Sequence, residues 1–355
     1  MIRVGIDAHM LGDRSGGNET YYSGIINALD PPEDMEIIIL VPRSFSGSFK
    51  NGLKTVRFRH DNVLLRYLLD IPHIVRSYGL DIIHTQYFLP PFTSPAKRIV
   101  TIADICFMHL SGIFSLKDLI PQKLLIPVAA KRSDRVVTVS YYSRNDIAGT
   151  FHVSPEKIDV TYDAPTAVIP DDSAEEMVDG PYLLTIGNIQ PRKNLVRLFR
   201  AFRSFRKRTR WEGKLVVIGK KDYNAERIMS KAGNGIIFTG YVSNETRESL
   251  IRNACAFIYP SLFEGFGLPP VEAMIHGIPT AVSNVTSLPE VVGDGALLFD
   301  PLSVPGISDS IEKLITDGEL RKSLSEKGRI AASRFSWEQS AEKLVEIYRR
   351  TYEND

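Results

Sequence analysis

Two carboxylates, Glu264 and Glu272, stand eight positions apart in the stretch FIYPSLFEGFGLPPVEAMIHGIPTAVSNVTSLPEV, residues 257–291. The apolar run Ala256-Phe257-Ile258-Tyr259 predicts a short buried strand, ended by Pro260. A glycine-rich loop follows, Glu264-Gly265-Phe266-Gly267-Leu268. Pro269-Pro270 then opens a helix, because the N–H groups of a first helical turn have no intrahelical partner anyway. Gly277-Ile278-Pro279 stops it, and Thr280-Ala281-Val282 begins the next strand. Glu264 is thus expected on the loop and Glu272 in the first turn of the helix. Backbone N–H groups between them point where an anion would sit. A carboxylate accepts two hydrogen bonds side by side, which matches the paired hydroxyls of a ribose. The arrangement suits a sugar nucleotide. The plain alternative is a tight Gly-Phe-Gly turn with a glutamate that merely favours its helix end.

A second constellation is Gly187-Asn188-Ile189-Gln190-Pro191-Arg192-Lys193-Asn194-Leu195, between a strand and a helix. Cations at a helix N-terminus are unfavourable, because that end is already positive. Arg192 and Lys193 sit there together, and a bound anion would make the placement sensible. A third is the loop after the first strand, with Ser15-Gly16-Gly17 ahead of a helix. Strand, glycine loop and helix make up a phosphate-handling unit. It is not the dinucleotide fingerprint, since no G-x-G-x-x-G is present, and a plain turn remains open for it.

The segment EGFGLPPVEAM followed by HGIPTAVSN closely resembles the E-x7-E signature of the retaining glycosyltransferases of family 4. The basic turn resembles the same family's G-x-x-x-P-R-K-N motif. Family-like segments occur in order across nearly the whole chain. The resemblance implies the GT-B fold: two Rossmann-like domains with parallel sheets facing across a cleft, and a C-terminal helix crossing back to the first domain. It implies that Lys193 and Arg192 hold the donor diphosphate. Glu264 would orient the donor sugar, and Gly265, Phe266, Gly267 and Leu268 would present backbone amides to sugar and phosphate. Glu272 would hold the ribose. Gly16 and Gly17 would face the diphosphate, and the backbone at Val242 would contact the base. Asp104 is assigned to acceptor-side chemistry. Relatives commonly carry T-x-H-D there; this chain reads Thr101-Ile102-Ala103-Asp104, and His109 matches a different position.

The elements that must position these residues alternate. Strands are expected at Ile2–Ala8, Glu36–Val41, Asp81–His84, Arg98–Ile102, Arg135–Val139 and Lys157–Thr161. Helices are expected at Glu19–Leu29, Leu64–Tyr78 and Leu119–Arg132, and after Ser140 as N-cap. The alternation implies a parallel sheet covered on both faces. The Pro- and acid-rich segment 163–181 reads as a linker. A second alternating half follows, with strands Tyr182–Gly187, Lys214–Gly219 and Ile236–Thr239 and a helix Leu195–Arg208. The domains are therefore read as 1–163 for the acceptor, 164–181 as linker and 182–334 for the nucleotide sugar. Residues 335–355 form the returning helix, with Trp337 as its candidate anchor.

At 355 residues the chain has room for two domains, and 43% hydrophobic with 24% charged residues is ordinary for a globular protein. The net charge of +1 points to no nucleic acid. Cys106 and Cys255 alone suggest a reduced, cytoplasmic protein, and no apolar run approaches a membrane span. Any membrane contact would be peripheral, at the inner face of the cell membrane. The basic helix carrying Arg197, Arg200, Arg203 and Arg206 reads first as a solvated face over the stripe Leu195, Leu198, Phe199, Phe202 and Phe205.

The resulting expectation is a retaining, metal-independent transferase without cofactor. It would move a sugar, mannose-like as a first guess, from a nucleoside diphosphate sugar to a glycan or lipid-linked acceptor. No D-x-D triplet occurs, so the usual metal-carboxylate grip on a diphosphate is missing. The competing class is a non-catalytic nucleotide-sugar-binding subunit acting with a partner, which Ala103 favours.

Overall fold

The computed structural model describes residues 1–12, 16–49, 51–91, 95–166 and 178–353. The chain divides into two compact units. The first comprises Met1–His109, Ser115–Ala164 and Phe335–Asp355; the second comprises Leu110–Phe114 and Pro165–Arg334.

The first unit is built on a seven-stranded parallel sheet. Its strands are β1 Ile2–Asp7, β2 Met35–Val41, β3 Lys54–Arg57, β4 Ile82–Gln86, β5 Lys97–Thr101, β6 Arg135–Thr138 and β7 Ile158–Val160. Their order is β3-β2-β1-β4-β5-β6-β7, so the winding reverses between β1 and β4. Strands β2 and β4 are buried almost throughout, as a sheet covered on both faces requires. Segment Lys54–Arg57 has too little apolar alternation to stand out as a strand, and it is the exposed edge.

The expected helix over 64–78 is one continuous stretch with a change of winding. Val63–Leu65 is α-helical, Arg66–Asp70 is a π turn and Ile71–Tyr78 is α-helical again. Pro72 stands where the winding changes back and has no N–H to give to the ladder there. The final helix, Trp337–Glu353, belongs to this first unit. Its Trp337 packs against the bare Cα of Gly24 on the first helix, Gly17–Ala28. Ser340 Oγ donates to the Tyr162 carbonyl at 2.7 Å, and Arg350 pairs with Asp159 at 2.8 Å.

The second unit has a six-stranded parallel sheet. Its strands are β8 Tyr182–Ile186, β9 Lys214–Ile218, β10 Ile236–Gly240, β11 Ala256–Tyr259, β12 Thr280–Ser283 and β13 Leu297–Phe299. The order is β10-β9-β8-β11-β12-β13, reversing between β8 and β11. The apolar stripe of helix Leu195–Thr209 supplies much of its core, with Leu198, Phe199, Phe202 and Phe205 fully buried against Leu215, Val217 and Ile258. The arginines of that helix lie on its other side, as amphipathic spacing requires. Among the described residues, no helix is long and apolar enough to cross a membrane.

Candidate functional site

In an open parallel sheet a ligand crevice forms beyond the carboxyl ends of the strands, where the order reverses. In the second unit that point lies between β8 and β11. The loop after β8 carries Arg192 and Lys193, and the loop after β11 carries Glu264. The sheet therefore brings the two constellations together.

Their side chains meet in a buried cluster. Lys193 Nζ donates to Glu264 Oε1 and to the Tyr259 hydroxyl, each at 2.6 Å. Arg192 pairs with the other Glu264 oxygen at 2.8 Å and donates to the Phe263 carbonyl at 2.7 Å. Ser261 Oγ also donates to Glu264 Oε1. The two loops are tied further by the backbone: Leu262 N–H donates to the Arg192 carbonyl at 2.9 Å. Asn194, in the left-handed conformation that asparagine tolerates, spans from Pro260 to Pro301 with its amide.

The expectation that Arg192 and Lys193 stand at the first turn of the helix is refined by this geometry. They occupy a 3-10 turn, Pro191–Lys193, ahead of helix Leu195–Thr209. The anion that makes them tolerable is already present: it is Glu264. Burial alone would raise the Glu264 pKa. The Arg192 and Lys193 charges and the Lys193 and Ser261 hydrogen bonds outweigh it and hold the carboxyl at about 2. Glu264 is thus a carboxylate at any ordinary pH. Burial, with the adjacent Glu264 charge, pushes the Tyr259 phenol well above its usual range, so it stays protonated.

The loop 264–267 is held from the far side. Ser287 Oγ donates to the carbonyls of Glu264 and Phe266, each at 2.9 Å, and Glu264 N–H donates to Thr286 Oγ1 at 3.1 Å. Gly265 and Phe266 are buried in this loop. Gly267 has φ +106° and caps helix Leu268–Ile275 without a side-chain hydrogen bond. A Cβ there would stand 2.5 Å from Leu288 Cδ2, so only glycine fits. Pro269 and Pro270 have no N–H to give, so the first-turn amides at this helix start are those of Leu268 and Val271.

Glu272 is not in the first helical turn as expected. The helix begins at Leu268, ahead of both prolines, because neither needs to donate there. Glu272 therefore falls in the second turn, buried, and pairs with Arg247 of helix Asn244–Arg252. Burial would lower the Arg247 pKa, but the Glu272 charge raises it. Val242 lies between β10 and that helix, half-buried at the same rim of the sheet.

The remaining expected residues belong to the first unit. Gly16 has φ +84° and precedes helix Gly17–Ala28, with open space about both glycines. Ser15 lies outside the described residues. Asp104 accepts the Cys106 N–H at 2.9 Å beside a half-buried Ala103. His109 faces Asp146, at 2.8 Å, and so is engaged elsewhere.

Sequence reasoning missed Tyr259, Ser261, Arg247, Thr286 and Ser287. Ser261 carried a signal, a hydroxyl three positions before a strand-end glutamate. Arg247 carried none, since it meets Glu272 only through the packing of two helices.

Residues 171–331 match the family described as Glycosyl transferases group 1, and residues 15–164 match Glycosyltransferase Family 4. O-antigen chain mannosyltransferase B of Escherichia coli is 35% identical over 228 residues, 60% of each chain. A serotype-specific mannosyltransferase of Escherichia coli is 30% identical over 251 residues, 69% of this chain and 29% of that protein. The chain thus spans less than two thirds of the length of these curated relatives. An uncharacterized glycosyltransferase of Methanocaldococcus jannaschii is 27% identical over 94% of each chain. Among solved structures, sucrose-phosphate synthase from Thermosynechococcus elongatus superposes over 100% of both chains with a TM-score of 0.78 at 18% identity. That likeness and the two parallel Rossmann-like sheets give the fold class, GT-B. The chain carries a Glycosyltransferase Family 4 domain followed by a Glycosyl transferases group 1 domain.

Proposed function

We propose that the protein is a retaining glycosyltransferase that moves a sugar, mannose as the first candidate, from a nucleoside diphosphate sugar to a glycan or lipid-linked acceptor. The donor sits on the second unit and the acceptor on the first. The observation that carries this reading is the buried Arg192–Lys193–Glu264 cluster at the β8/β11 reversal, beside an uncapped helix start. The mannose assignment rests on the names of the curated relatives.

The chemistry follows from the charges. A diphosphate leaving group gains negative charge as the glycosidic bond breaks, and fixed cations and helix-end amides favour that charge. Arg192 and Lys193 supply the first and the Gly267–Leu268 turn the second. The acceptor hydroxyl attacks the anomeric carbon on the face that the phosphate leaves, and its proton passes to the departing phosphate oxygen. Glu264, held ionised, has no proton to give. It orients the sugar and offsets positive charge at the anomeric carbon. Glu272 takes the ribose hydroxyls and shares its carboxylate with Arg247. Asp104, with its second oxygen, positions the acceptor where relatives use the residue replaced by Ala103.

The test has two stages. Thermal shift against GDP, UDP, TDP and ADP identifies the nucleotide; a ligand at 100 times its Kd adds about 2.7 kcal/mol of stability. Labelled sugar conjugates of that nucleotide are then incubated with acceptor-containing extract. Label should enter product, and Glu264→Ala should stop it. Tight nucleotide binding without transfer to any host extract would favour the second reading, a binding subunit whose partner carries out catalysis.

A further inference from the structure

The edge strand of the first unit borders a groove of about 600 Å³, between Lys54–Arg57 and helix Ile71–Tyr78. β3 is the last strand of its sheet, so among the described residues no further strand covers this side. Strand alternation sets Thr55 and Arg57 on one side, and Arg59 extends that row past the strand end. Helical spacing sets His73 and Ser77 one turn apart on the facing side, with Tyr78 beside them. Val56 and Ile74 pack into the apolar core and form the base.

The cations of this groove are not paired off. Arg57 donates to the Phe45 carbonyl at 3.1 Å, and Arg59 donates to His73 Nε2 at 3.0 Å. Both acceptors are neutral, since a histidine nitrogen that accepts carries no proton. Asp70 is the one carboxylate of the lining, and its oxygens are already engaged. They accept the backbone N–H groups of Arg59 and His60, each at 2.9 Å, and His60 Nδ1 at 2.8 Å. Arg43, whose side chain donates to the Arg59 carbonyl at 3.3 Å, adds a third guanidinium beside the groove. Among the described residues none of these three guanidiniums meets a carboxylate, whereas Arg3, Arg98, Arg135 and Arg350 of the same unit each do. Each of the three is anchored at one point to a neutral acceptor and keeps the rest of its fork for another partner.

We propose that this groove binds a small phosphate monoester carried on a sugar. The planar forks of Arg57 and Arg59 match phosphate oxygens in pairs. The groove is larger than a phosphate and lies within the size range of small-molecule sites. The rest of its lining, Thr55, His73, Ser77 and Tyr78, presents hydroxyl and imidazole groups, which suit sugar hydroxyls better than an apolar body. All these residues belong to the first unit, and the Arg192–Lys193–Glu264 cluster belongs to the second. The proposal therefore does not depend on the transfer reaction.

The test is isothermal titration calorimetry on the full chain. The probes are inorganic phosphate, glucose, glucose 1-phosphate, glucose 6-phosphate and mannose 6-phosphate. At least one sugar phosphate should bind about tenfold or more tightly than inorganic phosphate, and glucose should not bind. The doubly substituted Arg57→Ser, Arg59→Ser chain should bind that sugar phosphate about tenfold or more weakly. Its melting temperature should be unchanged, because both side chains are exposed and Asp70 holds the backbone of residue 59, not its side chain. Lys193→Ala should leave this binding as it is. Absence of binding by all three sugar phosphates overturns the proposal, as does equal binding in the doubly substituted chain. Inorganic phosphate that binds as tightly as every sugar phosphate overturns the sugar assignment and leaves a plain anion site. Binding lost in Lys193→Ala and kept in the arginine variant overturns the site and places the ligand in the second unit.

Discussion

Lys193 Nζ stands 2.6 Å from both a Glu264 carboxylate oxygen and the Tyr259 hydroxyl. The cation that the function asks to hold a diphosphate is therefore already neutralised by the chain. A donor has to share Lys193 and Arg192 with Glu264. Lys193→Ala should consequently have two effects. Loss of one charged contact to the leaving group lowers kcat/KM by about ten- to several-hundred-fold. Loss of one of two counter-charges on buried Glu264 lowers stability by about 1–3 kcal/mol. Circular-dichroism melts beside donor kinetics separate the two. Wild-type values in both would remove Lys193 from the site.

Glu264 also sets an acid response. Its folded pKa lies at about 2, below the ordinary value of 4.5. A depressed carboxyl stabilises the fold above its unfolded pKa, and that contribution is lost as pH falls through the folded value. The window is pH 4.5 down to 2, and the loss is about 3 kcal/mol. Urea melts across that window should show a shallower decline in Glu264→Gln than in wild type, read from Trp211 of the second unit. Equal slopes would mean that Glu264 is not held as the geometry implies.

The first unit should yield to acid earlier. His84 is buried between Thr101 Oγ1 and the Tyr348 hydroxyl of the last helix, each at 2.7 Å. Burial lowers its pKa from 6.5 to about 3. For a base the sign is that the unfolded chain binds a proton below pH 6.5 while the folded chain does not. Stability is then full above pH 6.5 and is lost toward pH 3, by roughly 4–5 kcal/mol. Trp337 lies in this unit and Trp211 in the other. Trp211→Phe leaves Trp337 as the reporter, and its acid transition should begin below pH 6. A transition confined to pH below 4 would mean that His84 does not govern it.

The contrast between the two groups shows what the sequence made legible. Glu264, Arg192 and Lys193 sit in short motifs at strand ends, so local pattern alone placed each on its loop. That they meet follows from β8 and β11 being neighbours, which local pattern does not encode. His84 read only as the end of a strand, because its partner Tyr348 lies 264 positions away. The strand Lys54–Arg57 and the helix Leu288–Val292 were not visible, being short and weakly periodic.

Turnover should survive exhaustive EDTA treatment. Arg192 and Lys193 set two positive charges against the one on Glu264, so a net positive charge remains at the β8/β11 reversal for a diphosphate without a metal. Rates before and after chelation should agree within about twofold, a difference of roughly 0.4 kcal/mol in the barrier. Loss restored by magnesium or manganese would mean that the donor is held in another way.

Arg247 offers a separate handle on the nucleotide. It is the counter-charge of Glu272, and both are largely buried. Removing one member of a buried pair leaves the other uncompensated, at a cost of about 3–5 kcal/mol. Arg247→Ala should therefore lower the melting temperature of the second unit. Arg247→Lys keeps the charge but loses the planar fork, so it should recover most of the stability and less of the nucleotide affinity. Glu272→Gln removes the need for a counter-charge. The double variant with Arg247→Ala should then be less destabilised than the sum of the singles. Additive losses would show that Arg247 and Glu272 act separately, and the ribose role would rest on Glu272 alone.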